Sequence, residues 1–237
     1  FISPAFSLVE ISVASLVSTT IISLKPTVAI SLSAPSITQF FVLTVTTLPL
    51  TTLPSSLFSL ILPTASLTEP IRFYVKKGKK ALEEAGMIVE EVEITQLPKE
   101  EISSILHKCD YIYITGGNTF FLLQELKRKG VDKIISKQVK LGKLYIGESA
   151  GAIIASPDAE YMRSVNFDPI EKAPELKDCT SLDLVDFYTI PHYGNFPFKK
   201  KGEKIVQLYN EKLQLIPISN KQAVIIEDSN IQIKDAK

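Results

Sequence analysis

The sequence predicts an α/β protein built on a mostly parallel sheet with helices on both faces. Three observations predict it. Short apolar runs such as "LFSLIL" and "KLYIG" alternate with amphipathic segments of helical period, as in repeated strand–helix units. The runs end in glycine or proline turns. A G-x-S-x-G array then stands where one of them gives way to a small-residue, apolar helix. At 237 residues with 45% hydrophobic content, the chain can bury a substantial core.

Residues 1–56 stand apart as an atypical uncharged segment rich in Ser, Thr, Leu and Val, and residues 57–237 form the α/β domain. No charged residue occurs between Lys25 and Glu69. The stretch "ISVASLVSTTIISL" is short for a membrane span, "FISPAF" offers no basic start for a signal peptide, and Pro26, Pro35, Pro49, Pro54 and Pro63 interrupt the apolar run. A membrane partner is therefore disfavoured. β-Branched residues in "FFVLTVTTL" predict a strand, and "LFSLILPTAS" reads as a buried parallel strand that enters a loop at Pro63.

From Pro70 on, each segment carries its own signal. "IRFYVKKGKKALEEAGM" has helical spacing with Gly86 as its stop, "IVEEVEI" alternates as a strand, and "KEEISSILHKC" is an amphipathic helix. "DYIYITGGN" is a strand that ends in a glycine turn. "TFFLLQELKRKG" is a helix capped by Gly130, "VDKIISKQVKLG" another helix, and "KLYIGES" the next buried strand. Functional loops in such sheets lie at the C-terminal ends of the strands.

Composition excludes several function classes. Lys+Arg and Asp+Glu balance at 26 each, so no net field draws the chain to nucleic acid. Cys109 and Cys179 form neither a metal-binding pair nor a disulfide framework, which points to a reducing, cytoplasmic compartment. With two histidines, no metal site is expected.

"LYIGESAGAIIA" places Gly147, Ser149 and Gly151 in the array of a nucleophile elbow, where the serine hydroxyl stands exposed at a helix N-terminus. Ser is also a good helix cap, so the pentapeptide alone leaves both readings open. A serine nucleophile needs a base. His107 lies on an amphipathic helix, whereas His192 in "DFYTIPHYGNFPF" follows an apolar strand and projects from the functional end of the sheet. "ITGGN" supplies accessible amides, and Gly117 with Ala150 is assigned as the oxyanion pair. For the acid that orients the histidine, Asp158, Asp168, Glu171, Asp183 and Asp186 are all candidates, and spacing does not choose among them.

With "YIYITGGNTFFLLQEL", "KLYIGESAGAIIASP" and "LVDFYTIPHYGNFPF" in one order, and with "LPTAS" and "PISN" flanking them, the chain resembles the S51 serine peptidases, the family of aspartyl dipeptidase and cyanophycinase. The resemblance implies a flavodoxin-like or class I glutamine amidotransferase-like fold. It also implies hydrolysis of small peptides, among them dipeptides with an N-terminal acidic residue, through a Ser-His-Asp acyl-enzyme without cofactor. Carried over by motif, Ser149 is the nucleophile, His192 the base, Gly117 and Ala150 the oxyanion donors, and Asp168, in the Pro-containing loop "VNFDPIEKAP", the third member. Asn118 and Lys199, the latter opening the run "KKKGEK", are the substrate-binding candidates. The expected partner is a small peptide, and the expected state a monomer or homodimer. The alternatives are an acyl hydrolase of esters or amides and an inactive amidotransferase-like binding domain.

Overall fold

The computed structural model describes residues 57–227 and 230–235, together with the backbone of four strands at 11–12, 23–24, 28–31 and 41–45. In chain order these four are β1 (Ile11–Ser12), β2 (Ser23–Leu24), β3 (Val28–Ser31) and β4 (Phe41–Val45). There follow β5 (Phe58–Leu62), α1 (Phe73–Glu84), β6 (Ile88–Glu91), α2 (Lys99–Lys108), β7 (Tyr111–Ile114), α3 (Thr119–Lys129), α4 (Asp132–Lys140), β8 (Leu144–Glu148) and the short α5 (Ala150–Ile153). The chain continues through α6 (Glu160–Arg163), β9 (Tyr188–Ile190), α7 (Lys199–Tyr209), β10 (Leu215–Pro217), β11 (Gln222–Glu227) and β12 (Asn230–Asp235).

The main sheet runs β12-β11-β4-β8-β7-β5-β6. Its half from β6 to β8 is parallel throughout, as the alternation of strands and helices predicts. β4 pairs antiparallel with β8 and parallel with β11, and β12 closes the edge as an antiparallel hairpin with β11. Because β4 comes from the uncharged segment, the division at residue 56 is one of composition and not of the sheet. "IVEEVEI" is a strand only to Glu91; the Val92 amide still donates to the Ile61 carbonyl at 2.9 Å, and Val92 and Ile94 stay buried. Of "ISVASLVSTTIISL", only β1 and β2 lie within the described residues.

β7 shows how the layers assemble. All four residues of "YIYI" are buried, as in a strand covered on both faces. Ile112 and Ile114 join a core with Ile102 and Leu106 of α2, Leu122 and Leu126 of α3, and Ile135 of α4. Tyr113 faces the other way onto α1, where a side chain at Gly78 would come within 2.6 Å of its ring. Alternate residues of one strand thus bury helices on opposite faces. α3 carries the caps its sequence announces: the Asn118 side chain accepts from the Phe121 amide at 2.9 Å, and Gly130 adopts the left-handed conformation after the last turn.

A second, two-stranded sheet pairs β9 with β10 in parallel, with Pro217 opposite Ile190. Cys109 and Cys179 are buried free thiols. Among the described residues no helix is long and apolar enough to cross a membrane.

Deletion of residues 1 to 36 leaves β4 in place and is expected to cost little stability. Deletion through residue 56 removes the strand between β8 and β11 and should abolish the cooperative thermal transition followed by circular dichroism. A retained transition in the longer deletion would show that the sheet closes without β4.

Candidate active site

Strand ends bring the chemistry together. In the main sheet Leu62 pairs with Ile114 and Ile114 with Gly147, so β5, β7 and β8 finish level with one another. Ser149 follows β8 directly with φ 48° and ψ −100°, in the sparsely populated positive-φ region. The flanking glycines permit this turn because the chain is crowded on both sides. A Cβ at Gly147 would lie 2.6 Å from the Gly151 carbonyl carbon, and one at Gly151 would lie 2.4 Å from the Ile114 oxygen. The Tyr145 hydroxyl donates to the Gly151 carbonyl at 2.6 Å and ties the strand to the helix it enters.

The serine side chain makes no helix-capping hydrogen bond. Its Oγ lies 2.9 Å from His192 Nε2. His192, also at positive φ, sits just past β9 with its ring stacked on Phe198 at 4.7 Å between centroids. His107, by contrast, is exposed on α2, its Nδ1 2.6 Å from the Ser103 carbonyl oxygen.

At the other imidazole nitrogen the structure departs from the sequence reading. His192 Nδ1 lies 3.0 Å from Asn220 Oδ1, and Asp168 is not at this position. Asp168 instead accepts at Oδ2 from the amide and hydroxyl of Thr119, at 3.0 and 2.6 Å, where α3 begins. A loop carboxylate free to fold back finds the first turn of a helix, with its unpaired donors and positive field, before it finds a histidine. The other acids are engaged or turned outward. Asp158 accepts from the Glu160 amide and the Tyr188 hydroxyl, Asp183 pairs with Lys140, and Glu171 and Asp186 are exposed.

Asn220 is placed by the small sheet. After the Pro217–Ile190 pair the ladder continues through Ile218 N–H to the Ile190 carbonyl and Tyr193 N–H to the Ile218 carbonyl. The Asn195 amide then donates to the His192 carbonyl, and the Asn220 amide donates to Asn195 Oδ1. The carboxamide oxygen can only accept, so Nδ1 carries the proton and Nε2 presents its lone pair to Ser149. Desolvation of the ring, only partly offset by Asn220, pushes the His192 pKa down to about 4.

Gly117 (φ 134°) lies against the turn after β5, where a Cβ would come within 2.2 Å of the Ala65 oxygen. Its neighbour Gly116 approaches Ser149 closely, with an ideal Cβ 3.2 Å from the serine Cβ. Gly116 therefore flanks Ser149 with Gly117 next in the chain, and Ala150 opens α5 immediately after the serine. Asn118 is fully buried and does not face a substrate: Oδ1 caps α3 and Nδ2 donates to the Pro169 carbonyl at 2.9 Å. Lys199 is exposed and does not line the cavity. Lys201, two residues on and half a turn round the helix, does line it, with Nζ on the Asn166 and Phe167 carbonyls.

The cavity over Ser149 holds about 520 Å³ and is walled by Tyr74, Gly117, Glu148, His192, Phe198 and Lys201, among others. Sequence reasoning passed over Asn220, because it sought an acid and because 28 residues separate the amide from its histidine. It also passed over Glu148, although a charged residue inside the apolar run "LYIGES" was a visible signal. Among the described residues no group of three or more His, Cys, Asp and Glu side chains is placed to hold a metal ion.

Fold and site together define an α/β protein with a serine–histidine pair on a strand-to-helix elbow. The chain belongs to peptidase family S51, whose profile matches residues 54–234, and it is accordingly a peptidase. It is 50% identical over 173 residues to an uncharacterized peptidase of Listeria innocua, covering 73% of this chain and 82% of that one. It is 33% identical over 160 residues to peptidase E of Salmonella arizonae, covering 67% and 66% of the two chains. A crystal structure of a candidate peptidase E from Listeria monocytogenes superposes with a TM-score of 0.73 at 42% identity, over 85% of this chain and all of that one.

NMR titration of the His192 ring is expected to show its inflection near 4. Asn220→Asp should move it upward, because a carboxylate beside Nδ1 favours the imidazolium; an unmoved inflection would separate Asn220 from the histidine. Since the ring protonates near 6.5 when unfolded and near 4 when folded, its neutral burial contributes stability that is complete above 6.5 and is lost as pH falls towards 4.

Proposed function

We propose that the protein is a serine-type peptidase of small peptides, including dipeptides with an N-terminal acidic residue, and that it works through an acyl-enzyme. The observation that carries this reading is the 2.9 Å contact between Ser149 Oγ and His192 Nε2, both on the wall of one cavity. His192 takes the serine proton as Oγ attacks the scissile carbonyl. The Gly117 and Ala150 amides receive the oxyanion, and His192 returns the proton to the leaving amine. Water, activated by the same ring, then releases the acyl group.

Asn220 acts as the positioning residue in place of the expected Asp168. Neutral asparagine serves this role in cysteine–histidine–asparagine sites, where it fixes tautomer and ring orientation without adding charge. An acidic residue at the cleaved position is supported by Lys201 on the cavity wall, whose ammonium keeps a third proton beyond the two carbonyls it meets.

Ser149→Ala is expected to lower kcat by on the order of 10⁴ or more while the fold persists, and a fluorophosphonate probe should label the wild type and not this variant. Comparable turnover by Ser149→Ala would remove the serine from the mechanism. A panel of Asp-X, Glu-X and Leu-X dipeptides tests the acidic preference, and equal rates on all three would discard it. Asp168→Asn should retain the pH profile of the wild type, whereas Asn220→Asp should shift its acid limb upward; the reverse pattern would restore Asp168 to the histidine.

A further inference from the structure

The base stands in a turn and not in a strand. His192 has φ 58° and Gly194 φ 77°, so two positions of the turn lie in the left-handed region. That region is uncommon for a residue with a side chain and is kept only where the surroundings hold it. The Asn195 amide closes the turn by donating to the His192 carbonyl at 2.9 Å, and Gly194 takes the third position, where a turn of this kind needs positive φ.

The Asn195 side chain reaches out of the turn. Its Oδ1 accepts from the Asn220 amide at 2.9 Å, and Asn220 presents its own Oδ1 to His192 Nδ1 at 3.0 Å. Three hydrogen bonds therefore close a cycle through His192, Asn195 and Asn220. The small sheet does not finish this work alone. Its last bond towards Asn220, from the Tyr193 amide to the Ile218 carbonyl, stops two residues short. Beyond it the Ser219 amide donates to Gln222 Oε1, the Lys221 amide to Ser219 Oγ and the Gln222 amide to the Ser219 carbonyl, all within one loop. Of these four consecutive amides, that of Asn220 crosses to the histidine's turn. Because one residue gives its amide to His192 and its oxygen to Asn220, the two partners are held at one spacing.

We propose that Asn195 is a positioning residue for the base: by holding the Asn220 backbone against the His192 turn, it keeps the Asn220 oxygen on Nδ1 and the Nε2 lone pair on Ser149. Its part in catalysis rests on the serine-peptidase reading above. A role confined to shaping the turn would be met by the Asn195 backbone amide, which every substitution except proline retains. The carboxamide oxygen is what the base requires.

The test uses the full chain, and its first readout is the tautomer of His192 from the NMR shifts of its ring nitrogens, with His107→Gln assigning the other histidine. The wild type is expected to show the Nδ1-protonated tautomer alone, and Asn195→Ala a mixture of both. The second readout is the rate at which a fluorophosphonate labels Ser149. Asn195→Ala should slow it by on the order of ten-fold, the worth of one hydrogen bond, while Asn195→Asp, which keeps an acceptor oxygen in place, should label close to the wild-type rate. Adding Asn195→Ala to Asn220→Ala should cost nothing further, because the two side chains act in one path. A single tautomer retained in Asn195→Ala, or losses that add in the double variant, overturns the proposal. If Asn195→Ala does not fold, Asn195→Gln, whose oxygen stands one methylene further out, takes its place with the same outcomes. The tautomer is read without the serine, so the two readings fail separately: an unlabelled wild type overturns the serine-peptidase reading, and an unmoved tautomer overturns this one.

Discussion

Everything at the site depends on the backbone of one residue. Ser149 is held at positive φ, a conformation that costs a non-glycine residue about 1–3 kcal/mol and persists only where its surroundings over-determine it. Here they do. Gly147 and Gly151 pack too closely for any Cβ, and the Ile114 carbonyl lies where a side chain at Gly151 would go. The buried Tyr145–Gly151 hydrogen bond adds a tether worth about 1 kcal/mol. Ile114 stands beside Gly147 only because β7 and β8 are parallel and in that register. The sheet therefore sets the direction of the Ser149 hydroxyl, and the helix, sheet and glycine pattern all serve that one torsion.

The electrostatics of the cavity follow from the burial of its ionisable groups. A ring whose pKa has fallen to about 4 is neutral at pH 7 and always available as an acceptor, but it is a weaker base than an imidazole beside a carboxylate. Asn220 fixes the tautomer without adding charge beside the ring. Glu148 and Asp168, meanwhile, are both pushed upward by burial. Both carboxyls therefore lie on the cavity wall in surroundings that disfavour their charged forms, and neither stands at Nδ1 of the histidine.

What could be read from the sequence was what depends on neighbours in the chain. The helix at "TFFLLQELKRKG" carries its caps in its own sequence, and the elbow declares itself within five residues. His192 was legible because a histidine just after a strand must lie near the strand's end. Asn220 was not, because its place beside His192, 28 residues earlier, depends on a parallel ladder between distant segments, and an asparagine gives no signal of charge. Asp168, expected there only by motif, was not legible for a related reason: a loop carboxylate's partner is set by the fold, and the start of α3 supplies it with two donors. The antiparallel placement of β4 was equally hidden, since apolar β-branched runs announce a strand but not its direction.

The site is assembled from two sheets. Glu148 ends a strand of the main sheet and Ser149 and Gly117 follow its strand ends, while His192 and Asn220 follow the β9–β10 pair and are tied together by its ladder. The units meet where buried Ala152 and Ile153 of α5 join Ile190 of β9 in one core, and where the Tyr161 hydroxyl donates to the Thr189 carbonyl at 2.6 Å. Asn220 touches the His192 ring, whereas the Ser149 torsion is set by the glycines and β7 of the main sheet. The strained element and the tunable element are thus physically separate, and only the contact between Oγ and Nε2 must be kept by both.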